Sequence, residues 1–170
     1  MTQPVPPGML TNGTSKIVVV QAIANMAAPK LTEVNAVSSV DISCYIMGDG
    51  WSESISENTI EDTRLCTLQV FQEPGDFTEE LEITFVYDNY DDDNDEARTT
   101  LVPYTTAYMV ARTGKPNASP FIVGDIVDVF KYKAGKQRKN AGGRNTKHTM
   151  TQKLFLRDIT QHDVAIVAGP

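Results

Sequence analysis

The stretch "RLCTLQVFQEPGDFTEELEITFVYD", residues Arg64–Asp88, decides the fold class of this chain. Its two halves alternate apolar and polar residues, a pattern typical of β-strands with one buried face. Between the halves, Pro74 fixes φ and Gly75 tolerates positive φ, which together favour a turn. The stretch therefore predicts a β-hairpin that turns at Pro74-Gly75.

The second half of this hairpin has two chemically different faces. Because successive side chains of a strand point to opposite sides, one face is apolar and the other partly polar. The apolar face carries Leu81, Ile83, Phe85 and Tyr87, and the reverse face carries Glu82, Thr84 and Val86.

Further strands are predicted on both sides of the hairpin, in runs rich in β-branched and aromatic residues. They are Lys16–Ile23, Val34–Ile46, Ala107–Gly114, Ile122–Lys133, Thr149–Ile159 and Asp163–Gly169. Six to eight strands with little helix indicate a mainly β protein, an antiparallel β-sandwich or barrel.

Two segments are predicted to lie outside the strands. Residues Met1–Ser15 contain three prolines, two glycines and no charge, so we expect an extended N-terminal arm. Residues Met47–Arg64 are polar and acidic without a clean period, which predicts a long inter-strand loop. The domain organisation is thus an arm, 1–15, and a single β domain, 16–170.

The acidic stretch before Pro103 allows two interpretations. Asp91, Asp93 and Asp95 are spaced like the first ligands of a calcium loop, but Glu96 stands where that loop needs glycine. Asp93 followed three residues later by Glu96 matches a capping box instead. We therefore prefer one short flanking α-helix that stops before Pro103, with the metal site as the alternative.

Charge is strongly segregated along the chain, whose net charge is −7. Residues 33–96 contain eighteen acidic side chains and one basic one, whereas residues 131–157 contain nine basic side chains and no acidic one. Such segregation suits contact between copies, in which the basic part of one faces the acidic part of the next. Neutralisation within one folded subunit is the alternative.

The basic segment Lys131–Lys153 lies between two strand-like flanks, so we expect a projecting hairpin with Gly142 and Gly143 at its tip. Contact with an acidic protein surface is the preferred role. Nucleic-acid binding is a second possibility, because Lys and Arg contact phosphates, but no recognisable nucleic-acid-binding motif is present. A solvated hairpin without a partner is the third.

Motifs for catalysis, cofactors and metals are lacking in the sequence. His148 and His162 stand at no recognised catalytic spacing, and no phosphate-binding glycine loop occurs. Cys44 and Cys66 are too few for a disulfide scaffold, and we expect two reduced, mostly buried thiols. The sequence thus predicts no catalytic residue, no cofactor, no metal, no membrane span and no enzymatic activity.

The order of these elements resembles the major tail (tail tube) proteins of long-tailed, siphovirus-type bacteriophages over most of residues 16–168. The resemblance is carried by the proline-containing arm, the strand into "VDISCYI", the polar loop, the hairpin, "AYMVARTG" and "KLFLRDITQHDVAIVAG". It implies a virion structural protein, made in the host bacterial cytoplasm, that forms rings of six copies stacked into the tail tube for genome delivery.

The resemblance also implies partners. These are other copies of the chain, further tail proteins such as tape measure, terminator and distal tail proteins, and double-stranded DNA that passes without specific binding. A different ring component of the phage, a tail terminator or neck protein, is the alternative assignment. A nucleic-acid-binding module that uses the hairpin 131–153 is the other.

Candidate contact residues follow from the resemblance and from charge. Inter-ring or inter-subunit contacts are expected at Pro4, Pro6, Pro7, Asp49, Trp51, Glu53, Glu57, Glu61, Asp62, Lys131, Lys136, Arg138, Lys139 and Arg144. Lumen-facing positions are expected on the polar face of the central hairpin, at Thr67, Gln69, Glu82 and Thr84. An acidic lumen would repel DNA over about 8 Å at physiological salt.

Overall fold

The computed structural model describes residues 8, 10–90 and 95–169. Within these ranges it contains nine strands and two short helices. In chain order they are β1 (Lys16–Val20), α1 (Leu31–Val34), β2 (Val40–Asp41), β3 (Ile46–Asp62), β4 (Phe71–Val86), α2 (Glu96–Thr100), β5 (Thr106–Arg112), β6 (Ile126–Ala134), β7 (Arg138–Lys139), β8 (Thr149–Leu156) and β9 (Gln161–Ala165).

All nine strands belong to one sheet in the order β2-β1-β5-β6-β8-β4-β3, with β7 added to β8 and β9 added to β6. Every strand pair is antiparallel. The mainly antiparallel β architecture predicted from the sequence is therefore confirmed. The sheet is open, since its path ends at β2 and β3 rather than joining them.

The main core is a single hydrophobic cluster that draws on most strands of the sheet. Inward-facing side chains of β4 and β8 share one hydrophobic cluster with those of β1, β5 and β6. The apolar face predicted for the hairpin is confirmed, because Leu81, Ile83 and Phe85 are fully buried in this cluster. Ala97 of α2 and Leu101, which directly follows the helix, belong to the same cluster.

A second core covers the other face of β1, β5 and β6. Ile17 and Val19 face the main core, whereas Val18 and Val20 face this second cluster with Val34 of α1. Burial on both faces explains why β1 reads as a continuous apolar run rather than an alternating one.

The prediction of a long polar loop at Met47–Arg64 is wrong. These residues form most of β3, which pairs with β4 from Ile46 to Asp62. Neighbouring backbone groups of β4 satisfy the hydrogen bonds of β3, so the strand needs no apolar face where it extends into water. The polar composition of residues 47–64 therefore does not indicate an irregular loop.

The turn of the hairpin was also misplaced. Pro74 lies inside β4, where it pairs with Thr59 of β3 beside a shift in the pairing register. The connection between β3 and β4 is formed by residues 63–70. A Cβ on Gly75 would lie 2.9 Å from the carbonyl oxygen of Asn58, so the backbones approach closely here. Proline and glycine mark a β-bulge at this place, which uses the same residue types as a turn.

The region Val34–Ile46 is not one strand as predicted. It contains the end of α1, the two-residue strand β2 and a turn at residues 43–45. Val34 and Ile42 are buried but belong to different cores, so their apolar character did not reflect a common strand face.

The predicted short helix is confirmed as α2, which begins at Glu96 with Asp95 at the N-cap position and ends before Pro103. The capping role of Asp93 and the calcium alternative involve residues 91–94, which lie outside the described residues. Gln137 donates a hydrogen bond to the carbonyl oxygen of Leu101 immediately after the helix, at 3.0 Å. The basic segment is thus anchored to the end of α2.

The expectation of mostly buried cysteines is wrong, because Cys44 and Cys66 are both exposed. Each lies in a turn, Cys44 between β2 and β3 and Cys66 between β3 and β4. Side chains in turns mostly face solvent, whereas those in strands alternate between core and surface, so the predicted strand positions had suggested burial.

A buried ion pair fixes the loop between β5 and β6. The side chains of Arg112 and Asp125 are 1% and 0% exposed, and their Nη1 and Oδ2 atoms lie 2.8 Å apart. Lys115 contacts the other carboxylate oxygen. The Arg112 guanidinium also donates to the carbonyl oxygens of Pro116, Ser119 and Pro120.

The electrostatics of this pair determine how stability depends on pH. Burial alone would raise the pKa of Asp125, but hydrogen bonds from Lys115 and Arg112 outweigh it and hold the pKa below its usual value. A lowered pKa in the folded state stabilises the protein above the unfolded-state pKa of about 3.9. This contribution is lost as the pH falls through the folded-state pKa.

We predict that Asp125→Ala lowers the free energy of unfolding by about 3–5 kcal/mol at pH 7, because it leaves the Arg112 charge buried without its partner. Urea denaturation measures this change. Lys115→Ala is the matched control: its side chain is 48% exposed, so we expect a loss of only about 0–1 kcal/mol. The Asp125→Ala deficit should shrink below about pH 4. Equal, small losses of stability in both variants would contradict a stabilising role for the buried ion pair.

Candidate assembly surfaces

The β3–β4 hairpin extends well beyond the rest of the sheet. β4 pairs with β8 only from Leu81 to Val86, whereas its pairing with β3 continues to Phe71. The remaining two-stranded part, residues 55–79, is called the projecting arm below. From Glu79 to Phe71 it extends by about 26 Å at 3.3 Å per residue.

The projecting arm exposes much apolar surface. Leu65 and Leu68 in its turn are 110% and 107% exposed, more than almost any other large hydrophobic residue of the described chain. Its other exposed apolar residues are Ile55, Ile60, Val70, Phe71 and Phe77. Apolar residues grouped on one projection in this way are characteristic of protein contact surfaces.

The projecting arm is also acidic. Glu57 and Glu61, both predicted contact residues, are exposed on β3, and Glu73 and Asp76 are exposed on β4. Asp62 forms an ion pair with Arg64 at 2.7 Å, so part of its charge is neutralised locally. The arm therefore combines apolar and acidic side chains on a surface that the described residues of its own subunit leave exposed.

A bulge at the start of β3 sets the point where the strand leaves the core. The register shifts between Ile46 and Trp51, and Asp49 is exposed within this irregular stretch. Gly50 is required here, because a Cβ would lie 2.2 Å from the carbonyl oxygen of Thr84. The indole of Trp51 packs edge-on against Phe130 with ring centroids 5.6 Å apart, so it contributes to packing within the subunit.

The basic segment divides into anchored and exposed parts. Lys131 lies 3.6 Å from Asp158, and Lys153 pairs with Glu80 at 2.6 Å. The tip differs: Lys136, Arg138, Lys139 and Arg144 are exposed and form no ion pair with any acidic residue that the structure describes. None of these four cations is neutralised by a described carboxylate, although Lys139 lies over the Tyr87 ring, 5.2 Å from its centroid.

The four positions expected to face the lumen are not brought together. Glu82 and Thr84 lie on β4, where the Thr84 hydroxyl is 2.9 Å from that of Thr151. Thr67 and Gln69 lie in the turn of the projecting arm, where the Thr67 hydroxyl accepts a hydrogen bond from the Gln69 N–H at 3.0 Å. The twelve residues between Gln69 and Glu82, nearly all of them in β4, separate the two pairs by about 40 Å of extended chain.

The N-terminal segment is partly described. Pro4, Pro6 and Pro7 lie outside the described residues. Residues 13–15 are attached to the body, because Asn117 donates from its backbone N–H to the Gly13 carbonyl and from its side chain to the Ser15 carbonyl. This attachment fixes the point at which the N-terminal arm joins the body.

A polar cluster at the base of the projecting arm was not predicted. His162 of β9 lies 3.6 Å from Glu53, 3.9 Å from Glu79 and 3.5 Å from Asp128. Burial raises the pKa of Glu53, an effect that His162 opposes and that Glu79 and Asp128 reinforce. These residues come from four strands, so no local sequence spacing could have indicated the cluster; Glu53 alone was named as a contact residue.

The fold is thus an antiparallel β structure that carries a group of exposed apolar side chains on a projecting ribbon. None of the helices among the described residues is long and apolar enough to cross a membrane.

The chain belongs to the phage tail tube protein family, whose family model matches residues 2–169. It is therefore a structural protein of the phage virion tail, as the sequence resemblance predicted. A search of curated protein sequences finds no match to this chain.

A solved structure supports the fold. The chain is similar to a chain in the "Cryo-EM structure of the anti-feeding prophage (AFP) baseplate, 6-fold symmetrised", with a TM-score of 0.51 and 12% sequence identity. The similarity covers 95% of this chain and 96% of that one. The two proteins thus share a fold over nearly their whole lengths.

We predict that Leu65→Ser together with Leu68→Ser changes the free energy of unfolding of the isolated subunit by no more than about 0.5 kcal/mol, because neither side chain is buried. Leu81→Ala, in the buried half of the same hairpin, should cost about 2–5 kcal/mol. Urea denaturation at low protein concentration compares the two. A large loss in the double variant would mean that the arm packs on its own subunit.

Proposed function

We propose that six copies of this chain form a ring and that rings stack into the tube through which the phage genome leaves the virion. The observation that carries this proposal is the projecting arm, whose exposed apolar side chains have no partner within the described subunit. A ring closed by rotation, with further rings stacked on it, supplies such partners repeatedly.

Six-fold symmetry is supported by the structural neighbour, which is part of a 6-fold symmetrised baseplate. Edge-to-edge contact between open sheets would also protect the strand edges at β2 and β3. Family membership suggests a structural rather than a catalytic role, and the assembled tube provides the function.

Charge complementarity supports the stacking of rings. The projecting arm exposes Glu57 and Glu61, and the tip of the basic segment exposes Arg138 and Arg144. In a stack, the arm of one ring would reach the basic tip of the next, which lowers the cost of bringing acidic subunits together. Further tail proteins, including tape measure, terminator and distal tail proteins, would bind the same surfaces at the ends of the tube.

The lumen would be lined by polar side chains near Glu82 and Thr84, which face away from the main core. DNA would pass this wall without specific binding. A nucleic-acid-binding role for the basic tip would instead require DNA retention on a filter with a steep salt dependence.

We predict that the purified wild-type chain forms rings and tubes visible by negative-stain electron microscopy, and that Leu65→Ser with Leu68→Ser abolishes the tubes. Removing the two apolar anchors weakens every ring-to-ring contact at once. Val37→Ser is the matched control, because Val37 is 107% exposed in a turn of the body, far along the chain from the arm. Tubes should persist in that variant.

Three results would count against the proposal. A wild-type chain that stays monomeric at every salt and protein concentration contradicts self-assembly. Single closed rings that never extend favour a terminator or neck component. Tubes that form undiminished in the double variant mean that the arm does not mediate stacking.

A further inference from the structure

Four polar side chains from four different strands converge where the projecting arm meets the body. Glu53 comes from β3, Glu79 from β4, Asp128 from β6 and His162 from β9. One oxygen each of Glu53 and Glu79 and one imidazole nitrogen of His162 all lie within 4.8 Å of one another. The fold therefore places two carboxylates and a histidine around one point.

The imidazole is oriented by its surroundings. Its Nδ1 faces Asp128 at 3.5 Å, and Asp128 itself accepts a hydrogen bond from the backbone N–H of Asp163 at 2.9 Å. The Phe130 ring packs edge-on against it, with centroids 5.9 Å apart. These contacts direct Nε2 towards Glu53 and Glu79, at 3.6 Å and 3.9 Å.

One oxygen of this cluster lacks a partner. The Glu79 side chain is only 11% exposed, and its Oε1 atom is buried without a hydrogen-bond partner among the described residues. The same atom faces Nε2 of His162. An unpaired buried carboxylate oxygen is costly, so its position between Glu53 and His162 indicates that something positive satisfies it.

We propose that Glu53, Glu79 and His162 bind a divalent transition-metal ion, best matched by Zn²⁺, at the base of the projecting arm. Imidazole and carboxylate are ordinary zinc ligands, with bonds of about 2.0–2.2 Å that place ligand atoms about 3.4 Å apart in a tetrahedron. The observed separations from Nε2 are close to that value. The imidazole disfavours Ca²⁺, which takes oxygen ligands.

Asp128 acts as the outer partner of the histidine in this arrangement. A carboxylate on the second imidazole nitrogen fixes the tautomer that leaves Nε2 free to bind the metal. Three protein ligands leave a fourth position for water or for a side chain from another copy. The bound ion would join β3 and β4 to β9 and so fix the base of the arm.

Direct contact of His162 with the same carboxylates, without an ion, is the alternative that the experiment must exclude. The protein is the full chain carrying Cys44→Ser and Cys66→Ser, because the two exposed thiols could bind zinc themselves. Chelator-treated protein is titrated with Zn²⁺ by calorimetry at neutral pH.

We expect saturable binding of one Zn²⁺ per chain. His162→Gln and Glu79→Gln should each weaken Zn²⁺ binding by at least about tenfold. Removing a residue that binds the metal directly costs more than removing one that only hydrogen-bonds a ligand, which itself costs about 10–100-fold in affinity. His148→Gln is the matched control, because His148 is the other histidine and lies outside the cluster. At 100-fold excess over Kd, Zn²⁺ should raise the unfolding midpoint by about 5–10 °C, whereas the same excess of Ca²⁺ should not.

Absence of saturable Zn²⁺ binding, or binding that survives both Glu79→Gln and His162→Gln, would overturn the proposal. Loss of binding in His148→Gln with retention in His162→Gln would overturn it as well. Should a variant fail to fold, Co²⁺ added to the parent protein provides a second test: absorption bands of a four-coordinate site are expected. A spectrum of fully hydrated Co²⁺ would contradict the site.

Discussion

The structure depends on the antiparallel backbone pairing of β3 with β4. In their inner part the two strands cover the main core, where Leu81, Ile83 and Phe85 are buried. In their outer part the same ladder continues through a bulge, and no other strand among residues 8, 10–90 and 95–169 pairs with it. A two-stranded ribbon is marginally stable alone, and the proposed assembly would supply the outer part with support from neighbouring copies.

The distribution of charge over the subunit also bears on assembly. A subunit that neutralised itself would fold its basic tip onto its acidic arm. Of the basic segment's described side chains, only Lys153 pairs with an acidic residue near the arm, Glu80, while Arg138 and Arg144 remain exposed. Opposite charges are therefore displayed at separate places on one molecule, which suits repeated contact between copies in the tail tube family to which the chain belongs.

Much of the fold could be predicted from the sequence because most strands have a clear pattern. Alternation identified the inner half of β4, and β-branched runs identified β1, β5 and β6. β3 was missed because its outer part is mostly polar, with Ile55 and Ile60 too far apart to give an alternating pattern, and such a strand lacks the signal on which pattern recognition depends. Pro74 and Gly75 mark a bulge, and their composition cannot distinguish it from a turn.

The candidate surfaces were predictable to a smaller extent. Charge counts alone indicated the basic tip, and Glu57 and Glu61 of the projecting arm were named as contact residues. The apolar anchors Leu65 and Leu68 were missed because the misplaced turn put them inside a strand. The cluster of Glu53, Glu79 and His162 joins residues more than a hundred positions apart, so only the folded sheet could bring it into view.

The most direct test of the central claim is amide hydrogen exchange of the projecting arm in the free subunit and in assembled tubes. We expect residues 56–78 to exchange rapidly in the free subunit, as an unsupported ribbon should, and at least about a hundredfold more slowly after assembly. The amides of β5 and β6 serve as the internal reference and should be protected in both states. Slow exchange of the arm in the free subunit, unchanged by assembly, would contradict the claim that it is stabilised by neighbouring copies.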